Sequence, residues 1–276
     1  LINYTGHGGP LGWTQERILE VDQIRSWENQ NKLPLFMTAT CKFSCFDDPD
    51  KVSAGEYLLL NSRGGAIALL TTTRLVYASP NYTLNTKFID VLYEKQNGEY
   101  PRLGDLYKQT KVLSGSGANT RNFILLGDPA LSLAYPKYNV NTTSISDTIK
   151  ALETITISGN ITDENGVILN DFNGILTPTV FDKEVIAYTL GQESCSPMPY
   201  RDQTSIIYKG EVSVNSGEFS FSFVVPKDID NSYNNGKISY YAKDDFFNDA
   251  TGYDDSFVLG GVAENIVYDY EGPQVS

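Results

Sequence analysis

The sequence is poor in several residue types, and each shortage excludes a class of protein. Its 276 residues contain a single histidine and three cysteines. Three cysteines at Cys41, Cys45 and Cys195 form neither a disulfide framework nor a zinc-binding spacing. No apolar run reaches the ~18 residues that a bilayer-spanning helix needs, so no transmembrane helix is predicted.

Basic residues are also scarce relative to acidic ones. The chain has 21 Lys and Arg against 34 Asp and Glu, which gives a net charge of −13. This balance argues against nucleic acid or an anionic membrane surface as the partner. Pairs such as Asp47-Asp48 and Asp254-Asp255 could attract calcium, but most such pairs are solvated, so we predict no metal and no cofactor.

The first 136 residues alternate short apolar segments with amphipathic ones. The strand-like runs are apolar throughout, which indicates a parallel sheet covered on both faces and hence an α/β domain over residues 1–136. The predicted helices are Glu20–Glu28, Ser53–Asn61, Thr83–Lys95 and Leu103–Leu113. The predicted strands include Leu33–Cys41, Ala66–Thr73 and Phe123–Leu126.

After Pro136 the pattern changes. Residues 137–147 are rich in Asn, Ser and Thr, which predicts a linker. Residues 148–270 contain short alternating runs separated by turn signals, which is typical of an all-β sandwich. We expect residues 271–276 to start a further segment, and an upstream part with any export signal to precede Leu1.

A His-Gly pair and a cysteine end two of the apolar segments. The first reads Tyr4-Thr-Gly-His7-Gly8-Gly9, and the second ends in Thr38-Ala-Thr-Cys41. The 34 residues between His7 and Cys41 (41 minus 7) suffice for one crossover helix between parallel strands. Since sites gather at the carboxyl ends of such strands, the imidazole and the thiol are expected at one edge of the sheet.

This pairing suits nucleophilic catalysis. A free thiol has a pKa near ~8.5 and is activated by a neighbouring imidazole. The backbone N–H groups of Gly8 and Cys41 could hold a developing oxyanion. A packed cysteine beside an incidental histidine stays open from the pattern alone. Cys45 is a second candidate nucleophile, ranked behind Cys41 because it lies past the strand end, and Cys195 is interpreted as an inert free thiol.

The same segments resemble the gingipain family of caspase-like cysteine peptidases. The resemblance rests on Asn3–Gly8 and Leu33–Cys41, and it continues through Gly64–Thr73 and Tyr77–Pro80. It implies a caspase-like α/β catalytic domain followed by an immunoglobulin-like β-sandwich. It also implies that His7 is the general base, Gly8 the oxyanion position and Cys41 the nucleophile. Leu75, Val76 and Tyr77 would contact substrate, with Tyr77 at the position of a tryptophan that walls the family's specificity pocket.

Further segments narrow the resemblance within that family. Phe46–Pro49 and Leu126–Leu131 are similar to the branch that serves as cell-surface sortase in type IX secretion. That branch implies cleavage of the C-terminal secretion signal of cargo proteins and transfer of the acyl group to a lipopolysaccharide amine or to water. The implied partners are such cargo and outer-membrane secretion components, at the surface of a Bacteroidetes-type bacterium. A secreted endopeptidase that only hydrolyses, and a non-catalytic scaffold, remain alternatives.

Overall fold

The chain divides into two compact units, Leu1–Tyr135 and Pro136–Ser276. The computed structural model describes residues 1–14, 16–192 and 194–264. Residues 271–276, predicted to start a further segment, lie outside the described residues. None of the described helices is long and apolar enough to cross a membrane.

The first unit is built on a four-stranded sheet with helices on both faces. Its strands are β1 (Ile2–Thr5), β2 (Gly8–Gly9), β3 (Gly12–Trp13), β4 (Leu19–Glu20), β5 (Leu35–Ala39), β6 (Ala68–Thr72) and β7 (Phe123–Leu126). Its helices are α1 (Val21–Ser26), α2 (Ala54–Leu60), α3 (Ala78–Leu92), α4 (Leu103–Leu113) and α5 (Ala118–Asn122). The sheet has the order β1-β5-β6-β7, while β2, β3 and β4 form a separate small sheet.

One prediction about this sheet is wrong. Strands β1, β5 and β6 are parallel, but β7 runs antiparallel to β6, so the sheet is mixed. The apolar run of β7 indicates only that the strand is largely covered, and an antiparallel edge strand on a parallel sheet is covered in the same way.

The central strands are buried on both faces, as their continuous apolar sequence predicted. Every residue of β5 and β6 is buried. Leu35, Met37 and Ala39 pack with residues of α3 and α4, whereas Phe36 packs on the opposite face with residues of α1 and α2. This alternation follows from the two-residue repeat of a strand.

The helices follow their sequence signals with shifts at the ends. A capping box between Ser53 and Glu56 starts α2. Helix α3 begins at Ala78, five residues before the predicted start at Thr83. Pro80 does not delay the start of the helix, because it lies in the first turn of α3. A backbone N–H in the first turn has no partner within the helix, so a residue without one is tolerated there.

The second unit is made of strands only among the described residues. They are β8 (Tyr138–Ser144), β9 (Thr148–Ala151), β10 (Thr154–Thr162), β11 (Gly174–Phe181), β12 (Val185–Tyr188), β13 (Pro199–Asp202), β14 (Ile206–Lys209), β15 (Val212–Val214), β16 (Glu218–Val224), β17 (Asn234–Asn235), β18 (Lys237–Asp244), β19 (Asp249–Asp254) and β20 (Val258–Val262). The prediction of a linker over residues 137–147 is wrong, because β8 pairs there with β10 and β19. Its polar residues lie mostly on the solvent side, which the composition alone does not distinguish from a linker.

The large sheet of this unit folds over its own core. Eight strands join in the order β14-β11-β18-β19-β8-β10-β16, with β15 also pairing β11. Tyr208 of β14, near one end of this order, stacks on Phe221 and Phe223 of β16 at the other, with ring centroids 5.4 and 4.4 Å apart. The enclosed core also includes Ile149 and Leu259 of the smaller sheet β17-β20-β9.

Candidate active site

His7 and Cys41 follow two strands that are direct neighbours in the sheet. In the parallel pair β1 and β5, Thr5 lies opposite Ala39, and Gly6 N–H donates to the Ala39 carbonyl over 3.3 Å. Each of the two candidate residues stands two positions beyond that register pair. Since paired strands lie about 4.8 Å apart, the two loops leave the sheet side by side, at the edge that the sequence predicted.

The backbone at His7 is fixed while its side chain is exposed. The His7 carbonyl accepts hydrogen bonds from the Tyr4 hydroxyl at 2.6 Å and from Thr14 N–H at 3.0 Å. The Tyr4 ring stacks on Trp13 with centroids 4.3 Å apart. Burial, with Glu16 nearby, raises the pKa of Tyr4, so its hydroxyl remains a donor at neutral pH.

Gly8 brings the histidine loop against the cysteine loop. A Cβ at this position would lie 2.5 Å from Thr40 Oγ1 and 3.0 Å from the Gly12 carbonyl oxygen. Only glycine therefore allows the residue after His7 to contact the residue before Cys41. Gly8 is needed first for this close approach, a role that the sequence did not reveal.

Cys41 lies at a sharp turn out of β5. It is half-buried, and its Sγ donates to the Val76 carbonyl over 3.4 Å. The next residue, Lys42, has a positive φ of 52° and donates its N–H to the Arg74 carbonyl. The left-handed backbone turns the chain away immediately after the thiol.

A network of buried hydroxyl groups supports this turn from below. Thr38 donates to Thr71 Oγ1 over 3.0 Å, and Ser44 Oγ lies 2.8 Å from the same atom. The Thr72 hydroxyl donates to the Thr40 carbonyl. The sequence signal was the cluster of threonines at the ends of β5 and β6, which sequence reasoning left uninterpreted.

The three predicted substrate contacts form a wall beside Cys41. Leu75 and Tyr77 are 63% and 76% exposed, whereas Val76 is buried and its carbonyl contacts the Cys41 thiol. Asn122 donates to the Leu75 carbonyl, and Asn119 accepts from Tyr77 N–H over 2.7 Å.

The same wall is tied back to the nucleophile strand by a second asparagine contact. Asn119 Nδ2 donates to Asn81 Oδ1, and Asn81 in turn donates to the Ala39 carbonyl of β5. Asn119 and Asn122 belong to α5, a five-residue helix that sequence periodicity is too short to reveal. The wall and the cysteine strand therefore keep a fixed relative position.

The other two thiols differ from Cys41 in their surroundings. Cys45 is 5% exposed, and burial raises its pKa, which disfavours the thiolate. Cys195 is exposed in the second unit. Among the described residues, no group of three or more His, Cys, Asp or Glu side chains is arranged to hold a metal ion. The arrangement at His7 and Cys41 provides a thiol, an imidazole and nearby backbone N–H donors, the groups that nucleophilic thiol chemistry uses.

Comparison with known proteins gives one family and several related structures. Residues 1–134 match the family model described as peptidase family C25. Dimeric latent PorU from Porphyromonas gingivalis is 26% identical, over 71% of this chain and 20% of that one, with a TM-score of 0.43. The complex of Porphyromonas gingivalis RgpB pro- and mature domains is 16% identical, over 91% and 53% of the two chains, with a TM-score of 0.43.

A third solved structure is also similar to the chain. The Arg specific cysteine proteinase gingipain R is 16% identical, over 94% of this chain and 52% of that one, with a TM-score of 0.43. No curated protein matches the chain. The chain thus spans about a fifth of the PorU chain and about half of the gingipain chains.

Proposed function

Because residues 1–134 match the model of peptidase family C25, a family of cysteine peptidases, we propose that the first unit is a member of this family and forms the His/Cys part of an endopeptidase site. Cys41 is the nucleophile, His7 the general base and Gly8 N–H an oxyanion donor. The observation that carries this proposal is the parallel register of β1 and β5, which end side by side two residues before His7 and Cys41.

The proposed reaction has two steps. His7 takes the thiol proton as Cys41 Sγ attacks the scissile carbonyl, and the oxyanion is held by backbone N–H groups. The C–N bond then breaks, the amine leaves with the proton from His7, and a thioester remains on Cys41. Attack by water or by a second amine breaks the thioester and restores the thiol.

The substrate's acyl side is assigned to the wall of Leu75, Val76 and Tyr77. Leu75 and Tyr77 offer exposed apolar surface, and the asparagine contacts keep that surface in place. Rigid apolar surface next to a nucleophile favours binding through side-chain contact. A chain lying along the wall brings a carbonyl to Cys41.

The finer proposal is a sortase role in type IX secretion. The chain would cleave the C-terminal signal of cargo proteins and pass them to a lipopolysaccharide amine, at the outer membrane or cell surface of a Bacteroidetes-type bacterium. Outer-membrane secretion components would be its partners. The second unit would be an immunoglobulin-like β-sandwich, which its folded-over sheet supports.

Covalent labelling tests the nucleophile. Peptidyl acyloxymethyl ketones, varied at the residue beside the reactive group, should label Cys41 in the intact protein. Cys41→Ala should abolish labelling, whereas Cys45→Ala should leave most of it, since the buried Cys45 thiol is a poor thiolate. Labelling that maps to Cys45 and survives Cys41→Ala contradicts the assignment.

Product analysis separates transfer from hydrolysis. Cleavage run with and without a primary amine should give an amide product only if the thioester is open to an amine acceptor. Hydrolysed product alone favours the secreted endopeptidase that does not transfer. A folded protein that neither labels nor cleaves favours the scaffold alternative.

A further inference from the structure

A pocket of about 450 Å³ lies next to the loop that follows the candidate nucleophile, and its lining includes Lys42 and Cys45 but not Cys41 itself. It is bounded by Pro10 after β2, Lys42 after β5 and Thr73 after β6. All three boundaries therefore come from the loops that surround His7 and Cys41. Its volume lies in the usual range for sites that bind small groups.

The two sides of Cys41 are distinguished by the faces of the sheet. Val76 of the wall packs in the core beneath α3 and α4. The pocket lies toward the other face, because the Pro10 carbonyl accepts the N–H of Ala54 at the start of α2. Cys41 connects the two, because its thiol contacts Val76 of the wall and the next residue, Lys42, lines the pocket. If the acyl part of a substrate lies on the wall, as the proposed function has it, the leaving-group part extends into the pocket.

The lining of this pocket is charged, and its charges do not cancel. Arg74 forms a two-pronged ion pair with Asp47, and Lys51 pairs with Asp48 over 2.9 Å. These partners lower the pKa of both carboxyl groups, so both are ionised at neutral pH. Lys42 lines the same pocket and forms no ion pair within the described part of the chain.

The pocket is therefore cationic in an acidic protein. Three cations and two anions leave a net charge of +1 in the pocket, against −13 for the whole chain. Lys42 is the unbalanced charge, and it directly follows the nucleophile in sequence. Its backbone is fixed by the hydrogen bond to Arg74, which orders the base of the side chain.

We propose that this pocket is the leaving-group subsite of the proposed peptidase and that Lys42 selects an acidic residue there. The inference rests on the proposed function only for the direction of the substrate. Exposed ion pairs are worth up to about 1 kcal/mol, which is roughly a fivefold preference per favourable contact. Replacing an attractive contact by a repulsive one doubles the free-energy difference between two peptides, so the fivefold preference is squared.

Two arms test the proposal in the full chain. In the first, a peptide library carries Asp or Lys at the three positions after the scissile bond. Wild-type protein should cleave the Asp set up to about 25-fold faster, and Lys42→Glu should reverse the ratio. Lys108→Glu makes the same charge change on the exposed side of α4, outside the pocket, and should keep the wild-type ratio.

The second arm needs no turnover. The tripeptide amides Asp-Ala-Ala and Lys-Ala-Ala are titrated into the Cys41→Ala protein and followed by NMR shifts. The acidic peptide should bind more tightly, and adding Lys42→Glu should remove that difference. The preference should also shrink in 1 M NaCl, where the Debye length falls to about 3 Å.

The outcomes separate the two proposals. Cleavage that depends on Cys41 but shows the same Asp:Lys ratio in wild type and Lys42→Glu overturns the subsite and leaves the peptidase standing. Absence of cleavage together with Lys42-dependent acidic binding supports the selection of acidic residues by this pocket and counts against the peptidase. Equal binding of the two tripeptides overturns the subsite whatever the activity.

Discussion

The two units bury different kinds of side chain. In the first unit, polar side chains are buried at the ends of the central strands, and the second unit encloses an almost wholly aromatic and aliphatic core. The buried polar residues of the first unit are Thr38, Thr40, Ser44, Ser53, Thr71, Thr72, Asn81 and Thr110. Among the described residues of the second unit, the buried polar ones are Thr162, Asp182 and Lys183. Polar groups in a core must be hydrogen-bonded to avoid a desolvation cost. Where they cluster, directional hydrogen bonds as well as apolar packing hold the chain in place.

In the first unit these directional hydrogen bonds support the candidate site. The hydroxyl groups of Thr38, Ser44 and Thr71 hold the loop that follows Cys41, and Asn81 links the wall to β5. In the second unit, stacked rings such as Tyr208 and Phe223 stabilise the core by packing, and they do not position an exposed reactive group. The comparison predicts that replacing buried polar residues of the first unit disturbs the loops of the candidate site as well as stability, whereas in the second unit such replacements change stability alone.

The largest stability effect is expected at the one buried ion pair of the described second unit. Lys183 Nζ is 2.9 Å from Asp182 Oδ1 and 2.6 Å from the Asp230 carbonyl. Asp182→Ala leaves the 4% exposed lysine without its anion, so it should cost about 3 kcal/mol in urea unfolding. Adding Lys183→Met should recover much of that loss.

The adjacent ion pair provides a matched control. Glu184 pairs with Arg201 over 3.2 Å, and both side chains are exposed. Glu184→Ala should therefore change the free energy of unfolding by less than about 0.5 kcal/mol. Equal losses for Asp182→Ala and Glu184→Ala would mean that the buried pair does not stabilise this unit.

The next largest effect is expected on the reactivity of Cys41 in the first unit. Gly8→Ala forces a methyl group toward Thr40 Oγ1 and the Gly12 carbonyl, so the loops of His7 and Cys41 must separate. Misplacement of about 1 Å can cost ~100-fold in rate. Labelling of Cys41 by the electrophilic probe should slow by roughly that factor, with the urea midpoint of the second unit unchanged.

Gly9→Ala is the control for that experiment. A Cβ at Gly9 meets no atom within 4 Å, and the residue lies next to Gly8 in the same strand. Its labelling rate should stay within about twofold of wild type. If Gly8→Ala also labels at the wild-type rate, the close approach of the two loops is not needed for reactivity.

The central strands and the two candidate catalytic residues could be predicted from the sequence, but the hydrogen bonds that hold them in place could not. Continuous apolar runs identified β5 and β6, and the ends of two such runs identified His7 and Cys41, because a buried strand has a strong signal. The direction of β7 and the polar strand β8 were missed, since strand pairing is a tertiary property that local composition does not encode. Asn81 and Asn119 were missed because single polar residues carry no period, and their role depends on partners far away in sequence.

A smaller effect is expected at the hydroxyl network. Thr71→Val keeps the shape of the side chain but removes the partner of Thr38 and Ser44, leaving two buried hydroxyl groups unsatisfied. The expected loss is about 1–2 kcal/mol in the unfolding of the first unit. The loop after Cys41 should also loosen, so that amide hydrogen exchange at Ser44 becomes faster.

Thr110→Val tests whether any buried threonine would behave in this way. Thr110 is fully buried in α4, and its Oγ1 has no hydrogen-bond partner in the described part of the chain. Removing that hydroxyl should leave stability unchanged or raise it slightly. A loss equal to that of Thr71→Val would assign the effect to packing rather than to the network.

The smallest effect depends on pH and concerns Tyr240 in the core of the second unit. Burial raises the pKa of Tyr240 to about 12, from 10.0 for a free tyrosine, and its hydroxyl lies 2.8 Å from Thr142 Oγ1. The unfolded chain therefore loses this proton at lower pH than the folded one. The stability that the neutral phenol contributes is complete below pH 10 and is lost as the pH rises through about 12. By pH 11 the loss should be about 1 kcal/mol.

Tyr240→Phe lacks the titrating group. At pH 8 it should be less stable than wild type because the hydrogen bond is missing, and this deficit in stability should shrink by about 1 kcal/mol at pH 11. Urea unfolding of both proteins at the two pH values measures the difference, and a deficit that stays constant would mean that the phenol is not held neutral by burial.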